Sequence, residues 1–183
     1  MKNDEKYPSK DSIHTYVEIP NNWDFNCFGC SQSNEHGLQL RFYFSEKGCF
    51  TECTIPEYLC GFDGIVHGGI IATLLDEVAA WTVISQLFRV GITTKIITEY
   101  INPVRANTKL RVEGEISKQE EKCVVVHSTV SSIEGTLLAE AESEWLLPSL
   151  SSLAKIASID ESILTQIIER VIQPIQQTGT IQP

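Results

Sequence analysis

Two adjacent carboxylates stand in a stretch that carries no other charge. From Gly69 to Leu87 the only charged residues are Asp76 and Glu77. Around them Ile70, Ile71, Leu74, Leu75, Val78, Trp81, Val83, Ile84 and Leu87 spread round most of a helical cylinder rather than along one stripe. A helix that is apolar nearly all round is buried, and a buried carboxylate is costly unless it is paired, protonated or needed. His67, Gly68 and Gly69 open this stretch. Glycines let another group approach the backbone closely, and the first N–H groups of a helix have no internal partners. The pattern predicts an electropositive helix start able to hold a developing oxyanion, with an acid about two turns further on. That combination suits chemistry at a carbonyl.

Composition narrows the setting. A chain of 183 residues with 42% apolar content supports one domain with a real core and terminal extensions. A formal charge of −10 without a basic run argues against binding nucleic acid through its phosphates. No apolar run is read as reaching membrane-spanning length, and Met1-Lys2-Asn3-Asp4-Glu5 does not resemble the start of a signal peptide. The expectation is a cytosolic protein whose six cysteines are mostly reduced thiols.

The elements that must position these residues are visible in the periodicity. Residues 1–22 are polar and read as an arm with little intrinsic order, 23–148 as the folded domain, and 149–183 as a helical extension. Leu38 to Phe44 alternates as a half-buried strand does, Glu46-Lys47-Gly48 is a turn, and Cys49 to Ile55 a second strand. The apolar helix follows. After it, Ile92 to Ile101, Leu110 to Ile116, Cys123 to Val130 and Leu137 to Leu146 read as strands, separated by turn residues. In the last, Ala139, Ala141, Ser143 and Trp145 share one face while Glu140, Glu142 and Glu144 share the other. One long helix followed by consecutive strands predicts an α+β fold with an antiparallel sheet, curled around the helix.

These residues together resemble a known family. Cys27-Phe28-Gly29-Cys30, His36-Gly37-Leu38-Gln39-Leu40-Arg41-Phe42, Gly64-Ile65-Val66-His67-Gly68-Gly69, Leu74-Leu75-Asp76-Glu77 and Tyr100-Ile101-Asn102-Pro103-Val104 are similar to the hotdog-fold acyl-CoA thioesterases, in their PaaI-like branch. The resemblance covers roughly residues 25–148. It implies a curved antiparallel sheet around a long central helix, a homodimer or dimer of dimers, and active sites between protomers. Carried over by motif, the Gly68 N–H, with that of Gly69, would polarise a thioester carbonyl. Asp76, on the family's catalytic carboxylate, would activate water or attack directly, and Thr93 matches a Ser/Thr position that holds the water. Thr94, Lys95 and Arg105 are candidates to meet the phosphates of coenzyme A. No metal and no cofactor is required, because coenzyme A arrives as part of the substrate. The loop Leu59-Cys60-Gly61-Phe62-Asp63 lacks the amide residue that related enzymes often carry there, a departure bearing on activity and substrate choice rather than on fold.

Other readings stand beside these. Asp76 can also be read as a buried acid capped by Thr73, Glu77 as the working acid or as a surface or interface residue, and His67 as a loop anchor or as a base. A non-catalytic acyl-CoA-binding protein of the same fold is the alternative function, and an acyl-CoA hydratase or dehydratase a third. Cys27 and Cys30 have the spacing of half a zinc site or of a redox pair. His36, Cys49 and Cys53 are the nearby candidates to complete a zinc site, at irregular spacing, so structural thiols are favoured. Phe62, Trp81, Phe88 and Trp23 are potential tunnel walls or plain core. In the tail, Ser158-Ile159-Asp160-Glu161 has capping-box spacing, and Ile159, Ile163, Leu164, Ile167, Ile168, Val171, Ile172 and Ile175 form an apolar stripe ending near Pro174. That helix is expected to pack on its own domain, with a contact to another protomer or a lid over the acyl tunnel as alternatives.

Overall fold

A computed structural model describes residues 16–21 and 25–177. The order of elements is β1 (Val17–Ile19), β2 (Phe42–Ser45), β3 (Gly48–Thr54), a 3-10 turn (Glu57–Leu59), β4 (Cys60–Phe62), β5 (Ile65–Val66), α1 (Gly68–Leu87), β6 (Ile92–Tyr100), β7 (Lys109–Gln119), β8 (Cys123–Ser132), β9 (Leu137–Leu146), α2 (Leu150–Ala157) and α3 (Glu161–Gln176). Seven strands form one antiparallel sheet in the order β1-β2-β3-β7-β8-β9-β6, and β4 pairs with β5 in a separate hairpin. α1 lies against one face of the large sheet, in contact chiefly with β3, β7 and β8. This is the predicted α+β architecture, with a long central helix and a helical C-terminus.

The close approach of helix and sheet depends on Gly114 in β7. A Cβ there would stand 2.4 Å from Thr82 Oγ1 and 3.2 Å from the Val78 carbonyl oxygen. Leu74, Leu75, Val78 and Val83 are wholly buried between helix and strands, and Trp81 stacks on Phe42 with ring centroids 5.2 Å apart. In β9 the alternation is as predicted: Ala139, Ala141, Ser143 and Trp145 are buried while Glu142 and Glu144 are exposed. Trp145 donates its indole N–H to Ser143 Oγ at 2.8 Å, which satisfies a buried donor.

Several expectations need correction. Leu38–Leu40 is not strand: Gln39 sits in the left-handed region (φ 49°) and breaks the extended run, so the strand begins only at Phe42. Leu38 and Leu40 are nonetheless buried. Their N–H groups donate to the carbonyls of Phe28 and Gly29 at 2.8 and 3.0 Å, so the segment is a strap folded on the turn at residues 28–30. The sheet also starts earlier than composition suggests, because Val17–Ile19 pairs with Phe42–Phe44 inside what reads as the polar arm. α1, at 20 residues, is long and apolar enough to cross a membrane by length and composition, contrary to the reading that no run reaches that length; Asp76 and Glu77 interrupt the run in sequence. More than half of the helix is buried by the sheet and its surroundings, the condition of a core helix.

The tail holds two helices. Ser158 is the left-handed C-cap of α2 (φ 56°), and Asp160, rather than Ser158, caps α3 by accepting from the Ser162 N–H at 2.8 Å. α3 runs through Pro174 to Gln176. It packs on its own domain, against β1 and α1, with Val171 and Ile175 fully buried in the main core. Among the proposed walls, Trp81 is core and Phe88 the half-buried, left-handed C-cap of α1. Phe62 is 82% exposed on β4, and Trp23 lies outside the described residues.

Candidate active site

The helix start is built by His67. Its backbone is extended (φ −62°, ψ 137°), and its Nδ1 accepts the N–H of Gly69 at 2.9 Å. The imidazole therefore acts as an N-cap, with the δ nitrogen in its acceptor form, and the loop-anchoring reading of His67 is the one the geometry matches. This contact changes the division of labour between the glycines. The Gly69 N–H is occupied by the ring, which leaves Gly68 to present an orphan donor of the first turn. The Tyr100 hydroxyl at the end of β6 donates to the Gly68 carbonyl at 3.0 Å, and the Val66 N–H donates to the Val104 carbonyl at 2.9 Å. Strand, hairpin and helix thus converge to hold one N–H in place. Tyr100 could not be assigned this role from spacing, because 32 residues separate the partners.

Asp76 sits half-buried on the side of α1 that faces β6. Thr93 donates its hydroxyl to Asp76 Oδ1 at 2.8 Å, while Thr73 donates back to the Gly69 carbonyl at 2.9 Å and does not cap the acid. Burial pushes the Asp76 carboxyl above the usual carboxylate range; the Thr93 bond pulls it down, and charge on Cys27 pushes it up again. One carboxylate oxygen is therefore oriented by Thr93, which leaves the other to accept a proton.

A bulge between Thr93 and Lys95 decides which neighbours share the site. Thr93 lies opposite the buried Trp145, whereas Lys95 lies opposite the exposed Glu144. The two side chains consequently point to opposite faces of the sheet. Lys95 pairs with Glu144 at 3.0 Å on the outer face, and the Thr94 hydroxyl donates to the Glu144 carbonyl at 3.0 Å, so neither is brought to Asp76. Arg105 is exposed, and its backbone bridges to Ile65, two residues before His67. Cys60 is half-buried in β4, opposite Val66.

One residue beyond Asp76 the helix turns to a different partner. Glu77 faces the Cys27–Cys30 turn and accepts the Cys27 thiol at 3.3 Å. Gly29 makes this possible, since a Cβ at Gly29 would fall 2.3 Å from Glu77 Cδ. Burial, then charge on Cys27, raise the Glu77 carboxyl to about 8. The bond from Cys30 lowers the Cys27 thiol, and the same bond, with burial, raises Cys30. Glu77 is therefore no surface residue. Its partners lie 50 residues upstream, a distance over which no local spacing rule operates.

Comparison with known proteins gives the fold and the relatives. Residues 63–139 match the family model of the thioesterase superfamily. An uncharacterised protein of Schizosaccharomyces pombe is 33% identical over 87 residues, which cover 45% of this chain and 50% of that protein. The acyl-coenzyme A thioesterase THEM4 of Mus musculus is 34% identical over 85 residues, covering 46% of this chain and 36% of the mouse protein. The chain thus spans at most half the length of these curated relatives. Among solved structures, a hypothetical thioesterase of Streptococcus pneumoniae with coenzyme A superposes with a TM-score of 0.53 at 22% identity, over 55% of this chain and 81% of that one. The PaaI protein of E. coli superposes with a TM-score of 0.55 at 15% identity, over 60% and 83%. The fold is the hotdog fold, and residues 63–139 are similar to the thioesterase superfamily.

Proposed function

We propose that the protein is an acyl-CoA thioesterase whose working unit contains at least two copies of the chain. The observation that carries this reading is the oriented pair Asp76–Thr93, 2.8 Å apart, on a helix whose start presents an orphan N–H. Asp76 takes a proton from water as the water oxygen bonds to the thioester carbonyl carbon. The charge that develops on the carbonyl oxygen is held by the Gly68 N–H. Collapse of the tetrahedral intermediate breaks the C–S bond, and coenzyme A leaves as a thiolate that takes up a proton. Direct attack by the Asp76 carboxylate, with water resolving the resulting anhydride, uses the same two groups. Arg105, beside the helix start, would meet the phosphates of coenzyme A.

Distance argues for two copies. Gly68 and Asp76 are eight residues apart on α1, about 12 Å along the axis at 1.5 Å per residue. A thioester carbonyl needs both groups within hydrogen-bond or near-attack range at one carbon. One chain does not meet that condition, but the helix start of one copy placed beside Asp76 of the other does. β6 supplies the means, as an edge strand of nine residues with no neighbour on its outer side among the described residues. Such an edge pairs readily with another strand.

The direct test incubates the protein with short, long and aromatic acyl-CoAs and separates free acid and coenzyme A chromatographically, avoiding thiol dyes that would react with the protein's cysteines. Stoichiometric release of both products supports hydrolysis. Tight binding without release would favour the non-catalytic acyl-CoA-binding alternative, and water addition to an enoyl-CoA the hydratase one.

A further inference from the structure

We propose that Cys27, Cys30 and Glu77 form a binding site for a single thiophilic divalent cation of the zinc type, separate from the Asp76–Thr93 pair. One ligand atom from each of the three side chains lies within 4.8 Å of the others, a spread that modest rotamer adjustment closes around one metal ion. Two thiols with two residues between them on a tight turn are a recurrent zinc-ligand arrangement, and a carboxylate is an accepted third ligand. His36, Cys49 and Cys53, the partners that sequence proximity suggests, are not in the group.

The arrangement is built rather than accidental in three respects. The turn is closed by the Ser31 N–H on the Cys27 carbonyl at 3.3 Å, and the strap behind it is pinned by Leu38 and Leu40. Gly29 gives up a side chain at the one position where a Cβ would collide with Glu77. Glu77, set in an apolar helix, has two thiols as its neighbours and no Lys, Arg or His ion pair among the described residues. A carboxylate placed so is costly to bury without compensation, and a divalent cation supplies it. Binding displaces to solvent the protons that the two thiols and the Glu77 carboxyl carry, so two thiolates and one carboxylate hold the ion. Three protein ligands leave one tetrahedral position for water or a small anion. Cys27 is half-buried and Phe28 is 44% exposed, so the site opens to solvent. Asp76 and Glu77 are consecutive, and a rotation of about 100° per residue separates their directions. The metal therefore ties the N-terminal strap to α1, while Asp76 faces β6.

The test uses the full chain, reduced and stripped with a chelator, then titrated with cobalt(II) as a spectroscopic stand-in for zinc. The expected result is one equivalent per chain, with thiolate-to-cobalt charge-transfer and tetrahedral d–d bands that zinc abolishes. Zinc should also protect two of the six cysteines from alkylation, identified by peptide mapping as Cys27 and Cys30. Loss of a direct ligand should weaken binding by at least about tenfold, since loss of an outer-shell partner alone costs about 10- to 100-fold. Cys27→Ser and Glu77→Gln should both show this, and Cys123→Ser, at an exposed thiol outside the cluster, should not. The protection experiment needs no variant, so it stands even where a substitution impairs folding. Absence of the cobalt bands, protection of other cysteines, or unchanged affinity in Glu77→Gln would overturn the three-ligand site. So would a Cys27–Cys30 disulfide forming in air, seen as a 2 Da loss, if the reduced protein then failed to bind cobalt.

Discussion

At the residue scale the proposed chemistry turns on how one carboxylate is held. Asp76 is lifted by burial and restrained by the Thr93 hydroxyl, so Thr93 works by keeping the acid ionised as well as by orienting it. The sign follows. A base must be deprotonated, so activity is lost as pH falls through the Asp76 pKa. Removing the lowering contact moves that loss to higher pH. In Thr93→Val the acid limb of the kcat profile should therefore shift upward relative to wild type. An unmoved limb with reduced kcat would leave Thr93 a purely steric role. His67 belongs to the same scale, and its type was easier to read than its role. A histidine before two glycines reads first as a loop anchor and second as a base, and its ring nitrogen caps Gly69.

At the element scale α1 is the organising piece, and its first residue offers a clean perturbation. Proline is tolerated at the first helical position, where its missing N–H would be unpaired anyway. It also requires an extended residue before it, and His67 is already extended. Gly68→Pro should thus fold while lacking the proposed oxyanion donor, and turnover should fall by about 10²–10³-fold, the usual cost of one such donor. A folded Gly68→Pro variant with full activity would remove that N–H from the mechanism. The tail makes a separate prediction. Ile175 is fully buried in the main core, so Ile175→Ala should lower unfolding stability by about 2–5 kcal/mol, measured by denaturant titration. A negligible change would mean that α3 is not part of the cooperative unit. The elements also show what was legible beforehand. β9 and α1 could be read because their periodicity is strong and their ends carry turn signals. The Leu38–Leu40 strap could not, since its alternation is that of a strand and only the left-handed Gln39 diverts it. The Ser158 cap was misplaced because two polar residues of similar spacing compete, and Asp160 is the one beside a free N–H. Glu77 and Cys27 meet only through tertiary packing, which no local pattern encodes.

At the scale of the whole molecule the question is whether one chain holds a complete site. Under the proposed mechanism the spacing of Gly68 and Asp76 along α1 calls for a second copy, and the open edge of β6 is where it would join. Gly68→Pro and Asp76→Asn should each be inactive alone. Mixed and allowed to exchange subunits, half of the dimers are hybrids, and each hybrid recovers one intact site of two. Activity should therefore return to about a quarter of wild type in a symmetric dimer. No recovery, with exchange confirmed by mass, would place both groups in one protomer. The negative charge of −10 bears on partners at this scale, since an acidic surface repels an acidic carrier protein, and free acyl-CoA is the substrate form the account favours.

The central claim is that Asp76 performs thioester hydrolysis. The measurement that meets it most directly compares wild type with Asp76→Asn, following chromatographic release of coenzyme A and, separately, equilibrium binding of a non-hydrolysable acyl-CoA analogue. The account predicts that turnover falls by about 10²–10⁴-fold, the usual contribution of a positioned base, while analogue binding is retained. Equal turnover in the two proteins would contradict it and move the chemistry away from Asp76.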